Sequence, residues 1–437
     1  MDKDLALRII RENTFVTVGC TDVVAVALAS ARAVRELGEE PRSIEVTLDK
    51  NIYKNAIAVG IPGTRRSGLK LAVALGAVMG DPGRGLAIIS GVTEADIARA
   101  EDFAARREIR FSLNPEAQGI YVRAVARGAS GAEASALLVN SHCEFAEAGR
   151  GGAGAAPRGK AAERKTPSAL FMHLDAVSLE EILRCVEAFA FDEIGFLLEG
   201  VTMNLAAAEG GEWAGAGLGL GAAYGALPAF SDVRESVLFE VKAKAAAAAD
   251  ARMAGLDVPL TGVFGSGNHG IVLFITLGLF ARRLKKSDED LARALALAML
   301  VIGAVKAKTG LLTPHCGCAV AVGFGVSAAC AWLLGGGVRE VGEAVNLMAA
   351  NLTGMLCDGA KYGCALKLAT AAQVSVENGF LAASGVAVPP GNGMVGRTFR
   401  ETMENLRIIT ERGMAGVDRS VLDILLKSGQ GGSPVRS

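Results

Sequence analysis

Large rings are scarce in this chain. Aromatic residues make up 5% of its 437 residues, with two Trp and four Tyr, and His occurs four times. A core of that size must be filled by aliphatic side chains, and by small residues that let helices approach closely. Neither sign of charge is in excess: 45 Lys and Arg stand against 46 Asp and Glu, a formal net charge of −1. That balance argues against a polyanionic partner, so no nucleic acid is expected. The opening, MDKDLALRIIRENTFVTVGC, lacks the basic start and unbroken apolar stretch of an export signal. Apolar residues and glycine are plentiful. Hydrophobic residues reach 51%, Gly numbers 55, and the mean hydropathy is +0.35.

Such a composition also suits a membrane protein, and residues 291–310 and 318–337 approach the length of a span. The first stretch carries Arg293, Lys306 and Lys308, and the second has one Trp and no aromatic belt at both ends. Both read instead as helices buried within a bundle, apolar all round because protein encloses them. No membrane association is expected.

Eight cysteines occur, at 20, 143, 185, 316, 318, 330, 357 and 364. Without an export signal the expected location is cytoplasmic, where thiols serve metals or catalysis more often than disulfides. Five of the eight fall between 316 and 364.

Helical spacing is expected in residues 1–37, broken around VTVGCTD, and again in LKLAVALGAVMG and TEADIARAEDFAARRE. The last opens with a Thr-x-x-Asp cap. RSIEVTLDKNIYKNA reads as a strand ending in a polar turn. Between 109 and about 176 the period becomes two, so IRFSLN, IYVRAVARG, SALLVNSHCEFAEAG and ALFMHLD are predicted strands. The Gly/Ala-rich stretch 149–165 is read as a loop, and VSLEEILRCVEAF as a capped helix. From 190 onward nearly all is helical. The predicted class is α+β: an N-terminal helical part (1–105), a small α+β domain inserted at 106–190, an all-α catalytic domain (191–425) and a flexible tail (426–437).

Several stretches carry chemistry. GCTD (19–22) sets Cys20 at a helix start, where the macrodipole is expected to lower its pKa and favour thiolate. DKNIYKNAIAVGIPGT gathers Asn51, Lys54 and Asn55 beside a glycine turn, groups suited to a carboxylate. GVFGSGNHGI places Ser266, Asn268 and His269 in a loop entering an apolar helix. HCGC supplies Cys316 and Cys318, and CDGAKYGC supplies Cys357 and Cys364. On one unbroken helix the last two thiols would lie about 10.5 Å apart along the axis. Gly359 and Gly363 predict a loop instead, with Cys364 opening the next helix. Converging soft thiolates suit zinc or an iron–sulfur cluster.

Taken in order, GCTDVVAVALA, DKNIYKNAIAVGIPGT, GSGNHGI, CGCAVAVG and MLCDGAKYGCALK resemble the L-cysteine desulfidase family. That family includes the UPF0597 proteins and is related to the iron–sulfur L-serine dehydratases. The resemblance implies a [4Fe–4S] cluster held by Cys357, Cys364 and one cysteine of CGC, Cys316 with Cys318 as the alternative. It implies Cys20 as the catalytic residue, and a substrate pocket that includes Asn51, Lys54, Asn55, Ser266, Asn268 and His269. Many relatives carry Glu at the position of Asp22. The implied reaction is α,β-elimination of L-cysteine to pyruvate, ammonia and sulfide without pyridoxal phosphate, in a homodimer. L-Serine dehydration is the alternative. A non-catalytic, thiol-rich binding protein, its cysteines merely packed, is the reading from another class.

Overall fold

Two hydrophobic cores organise the chain in a computed structural model that describes residues 1–114, 116–117, 119–151, 170–210, 216–225 and 236–427. One core joins Ile9 and Ile10 of the opening helix, Lys3–Glu12, to residues between Phe171 and Leu406. The other runs from Cys20 to Leu138 and takes in Met253, Leu422 and Leu425. The fold is mainly helical with a small α+β part, the class read from the sequence.

In the helical core every residue of helix Asp288–Thr309 from Ala294 to Ala307 is buried. A Ser287–Asp290 capping box starts this helix, and Lys306 and Lys308 close it at the negative end of its dipole. Helix Gly323–Leu333 packs on it and also on Val338–Leu352 and Cys364–Ala383, while Val237–Met253 lies along Cys364–Ala383. Small residues permit this closeness. At Gly325 a Cβ would stand 2.5 Å from the Ala298 carbonyl oxygen. These are the stretches whose hydropathy resembles membrane spans; among the described residues no helix is long and apolar enough to cross a membrane.

The strands are β1 (Thr14–Val18), β2 (Pro41–Leu48), β3 (Gly60–Ile61), β4 (Arg66–Ser67), β5 (Glu108–Leu113), β6 (Tyr121–Gly128), β7 (Glu133–Val139), β8 (Phe145–Arg150) and β9 (Pro259–Val263). Five form one sheet in the order β5-β2-β6-β7-β8, with β2 parallel to β5 and antiparallel to β6. Ile44, Val46 and Leu48 turn inward at period two, and helix Thr21–Leu37 covers β6 and β7.

The observed elements correct several expectations. β2 lies inside the sheet, so the α+β unit begins well before residue 106; its partners are distant in sequence, and spacing alone does not disclose them. DKNIYKNA forms helix Lys50–Ala56, because the Asp49 carboxylate caps it by accepting from the Asn51 and Ile52 amides. SALLVNSHCEFAEAG divides into β7 and β8 near Asn140, whose φ is +59°. ALFMHLD gives a 3₁₀ turn, Phe171–Leu174, in place of a strand. Of the 149–165 stretch, residues 152–165 lie outside the described residues. Helix Val417–Lys427 takes the first two residues of the expected tail, and 428–437 lie outside the description.

One further ribbon links the cores. β1 and β9 pair antiparallel, Thr14 opposite Val263 and Val18 opposite Pro259.

Candidate active site

Where the two cores meet, GCTD, KNIYKN, GSGNH, HCGC and CDGAKYGC border one cavity of about 350 Å³. Every residue singled out from sequence lines it: Cys20; Asn51, Lys54 and Asn55; Ser266, Asn268 and His269; Cys316 and Cys318; Cys357 and Cys364.

The backbone explains how the thiol segments come together. His315 and Leu356 form an antiparallel bridge, with the Cys316 amide donating to the Met355 carbonyl at 2.8 Å and the Cys357 amide to the Pro314 carbonyl at 2.7 Å. Side chains alternate along extended chain, so Cys316 and Cys357 share the face opposite His315. The His315 ring is anchored in the core, its Nδ1 2.8 Å from the Thr353 carbonyl and its Nε2 2.9 Å from the Thr410 hydroxyl. Beyond Cys357 the chain turns at Gly359, where φ is +93° and a Cβ would meet the Lys54 carbonyl oxygen at 2.3 Å. Only glycine fits there. Gly363 has an ordinary φ and open space around it, so the loop depends on one of the two expected glycines. Cys364 is the first residue of its helix, as predicted, and its sulfur accepts from the Lys361 amide at 3.5 Å.

These sulfurs influence one another and sit among lysines. The Cys318 thiol donates to Cys316, drawing the Cys316 pKa down to about 7 and raising its own. Burial pushes Cys357 up, against the Lys54 ammonium, and pushes Cys364 up to about 12, against the Lys361 amide. Burial also lowers Lys306 to about 8, opposed by attraction to Cys318, Cys357 and Cys316. Lys54 is not free: its ammonium donates to Asp418 Oδ1 at 2.7 Å and to the Cys357 carbonyl at 3.2 Å. Among the described residues, no three His, Cys, Asp or Glu side chains are gathered as one metal ion would require.

Cys20 departs from expectation. It does occupy the N-cap of helix Thr21–Leu37, but burial and then the nearby Asp22 carboxylate push its thiol up to about 12, and the Arg252 charge offsets this only in part. The dipole at a helix start is the smaller effect once the sulfur is desolvated. The thiol donates to Asp22 Oδ2 at 3.6 Å; the same oxygen accepts from Asn55 Nδ2 at 3.3 Å, and Asp22 Oδ1 lies 3.1 Å from His142 Nε2. Nearby, His269 Nδ1 donates to the Val263 carbonyl at 3.2 Å. Burial, then the Lys306 charge, hold that ring neutral, its pKa well below the ordinary value. A Cβ on Gly317 would stand 2.5 Å from His269 Nε2, so this nitrogen abuts the HCGC turn.

The sequence reading missed His142, Arg252 and Lys306 on the cavity wall, and Asp418 behind it. Only Lys306 left a usable signal: it is a cation inside a long apolar helix.

Comparison with known proteins finds relatives over most of the chain. The family model of the serine dehydratase alpha chain matches residues 83–423. A UPF0597 protein of Clostridioides difficile is 35% identical over 413 residues, covering 93% of this chain and 96% of that one. One from Alkaliphilus metalliredigens is 33% identical over 431 residues, covering 97% and 95%. One from Methanocella arvoryzae is 35% identical over 427 residues, covering 97% and 99%. The chain belongs to the family of the serine dehydratase alpha chain and, within reach of these relatives, to the UPF0597 proteins.

Proposed function

We propose that this chain is a lyase that eliminates the β-substituent of L-cysteine, giving sulfide, pyruvate and ammonia without pyridoxal phosphate. The observation that carries the reading is that one cavity holds both a set of thiols ringed by lysines and a separate thiol–carboxylate pair, Cys20–Asp22.

Cys357, Cys364 and Cys316, with Cys318 as the alternative to Cys316, are the residues that would hold a [4Fe–4S] cluster. The donor chemistry fits: soft thiols on neighbouring segments, with Lys54, Lys306, Lys361 and Lys367 supplying positive charge to offset an anionic cluster. A single zinc ion would draw each sulfur to about 2.3 Å from one point. A cluster takes each thiolate on a different iron and suits a more open set. When bound it supplies an iron that acts as Lewis acid toward the departing group.

The remaining steps belong to side chains. The Cys20 sulfur passes its proton to Asp22 Oδ2 and, as thiolate, takes the proton from the substrate α-carbon. A thiol with a high pKa is seldom ionised but is a strong base once it is, which suits a weakly acidic C–H. As that bond breaks, electrons form the Cα–Cβ double bond and the Cβ–S bond releases sulfide; the aminoacrylate product hydrolyses to pyruvate and ammonia. Ser266, which makes no capping hydrogen bond, and His269 through Nε2 present polar atoms for the substrate amine.

Anaerobic reconstitution with iron and sulfide tests the reading. The protein should bind iron and release sulfide and pyruvate from L-cysteine. A colourless protein holding about one zinc per chain, or an iron-loaded protein inert toward both L-cysteine and L-serine, overturns it. The family description itself favours L-serine as the second reading, with water leaving in place of sulfide. Parallel measurement of kcat/KM on the two amino acids decides between them.

A further inference from the structure

Arg252, in the last turn of helix Val237–Met253, is 3% exposed and borders the cavity. Its Nη1 donates to Asn268 Oδ1 at 2.9 Å and its Nη2 to the Gly19 carbonyl at 2.8 Å. Both acceptors are neutral. Its Nε is buried without a partner, and among the described residues no carboxylate forms an ion pair with it. A guanidinium carries five N–H donors, so several remain unused. A desolvated charge lacking a counter-ion is costly, and a planar fork of donors matches a carboxylate in two parallel hydrogen bonds.

We propose that Arg252 receives the α-carboxylate of the amino-acid substrate, an assignment that rests on the lyase reading of the same cavity. The placement has a consequence for the chemistry. Gly19, whose carbonyl Arg252 holds, directly precedes Cys20. The substrate α-carbon is one bond from its carboxylate, so the anchor brings the α-hydrogen toward the Cys20 sulfur. The alternative role is that of a brace, joining the Gly19 and Asn268 loops and nothing more.

Calorimetric titration of the anaerobically purified protein with L-alanine and with L-alaninamide separates the two. L-Alanine lacks a leaving group, and the amide lacks the negative charge. The wild-type protein should bind L-alanine about 10- to 100-fold more tightly than the amide, the factor expected of a charge-assisted pair. In Arg252→Gln that preference should fall to within about twofold, with Arg252→Lys between them. Four results overturn the proposal: no binding of L-alanine, equal binding of both ligands by the wild type, a preference retained in Arg252→Gln, or loss of both ligands alike. Should Arg252→Gln fail to fold by circular dichroism, the wild-type comparison and Arg252→Lys carry the same decision. Selective binding of L-alanine without elimination from L-cysteine or L-serine would reject the lyase reading and leave the anchor standing. Elimination without ligand preference would reject the anchor alone.

Discussion

His142 Nε2 lies 3.1 Å from Asp22 Oδ1, and the contact crosses from the turn after β7 to the helix that begins beside Cys20. It ties the α+β sheet to the proposed base: Asp22 turns its other oxygen to the Cys20 thiol and to Asn55. Replacing His142 by Gln keeps bulk and polarity but loses the imidazole. On the proposed mechanism kcat should fall about 10- to 100-fold, with KM for L-cysteine within about threefold, because the residue positions a proton acceptor and does not touch substrate. Steady-state kinetics on iron-matched samples gives the answer. An unchanged kcat would mean that Asp22 is held well enough by Asn55 alone.

The buried Cys20 thiol makes a second prediction, about reactivity against pH. Its pKa is raised to about 12, so it is protonated throughout the neutral range, with roughly one thiolate in ten thousand at pH 8. Iodoacetamide labelling of Cys20, read by peptide mass spectrometry, should therefore rise about tenfold per pH unit between 7 and 10 with no plateau. Cys143, exposed on its loop, serves as the accessible reference. A plateau for Cys20 below pH 9 would show that the helix dipole and Arg252 outweigh burial after all.

The thiol wall predicts an unequal set of serine variants. Cys357→Ser and Cys364→Ser should each lose most of the bound iron. Cys316→Ser should do the same, since the His315–Leu356 bridge fixes Cys316 beside the Cys357 segment. Cys318→Ser should retain most iron, because Cys318 acts in the protein as a donor to Cys316. Cys330→Ser, fully buried in the helical core, is the control for destabilisation without ligand loss. Iron per chain after identical anaerobic reconstitution is the readout; iron lost from Cys318→Ser and kept in Cys316→Ser would exchange the two roles.

Much of this site was legible because its chemistry sits in short glycine-bearing stretches, where a thiol or amide among small residues has few structural reasons to be there. GCTD, GSGNHG, HCGC and CDGAKYGC all reach the cavity that their composition suggested. What escaped was non-local. Arg252 meets Gly19 across 233 positions, and Lys54 meets Asp418 across 364, with nothing in either neighbourhood to announce the other. β2 could be read as a strand from its alternation, yet its place between β5 and β6 depends on partners 65 to 87 residues on. The direction of the Cys20 shift failed for a related reason. A helix start is visible in sequence, whereas the desolvation that overrides it belongs to the assembled core.

Lys54 and Asp418 form a salt bridge at 2.7 Å with side chains 1% and 5% exposed, and this bridge holds the cavity-lining Lys54 ammonium in place. The Lys54 ammonium also donates to the Cys357 carbonyl, so one contact fastens helix Val417–Lys427 to helix Lys50–Ala56 and to the thiol loop. Asp418→Asn would leave a buried ammonium without its anion, which costs about 3–5 kcal/mol when a buried pair is broken from one side. Urea unfolding should show that loss, with iron content reduced because the Lys54 ammonium, which donates to the Cys357 carbonyl, loses the carboxylate that fixes its position. The double variant Lys54→Met/Asp418→Leu removes both charges and should recover much of the stability, as apolar replacement of buried pairs commonly does. It should not recover iron binding, because no donor then reaches the Cys357 carbonyl. Recovery of both would mean that the bridge matters only to folding, and that the loop holds its shape through Gly359 and the His315–Leu356 bridge alone.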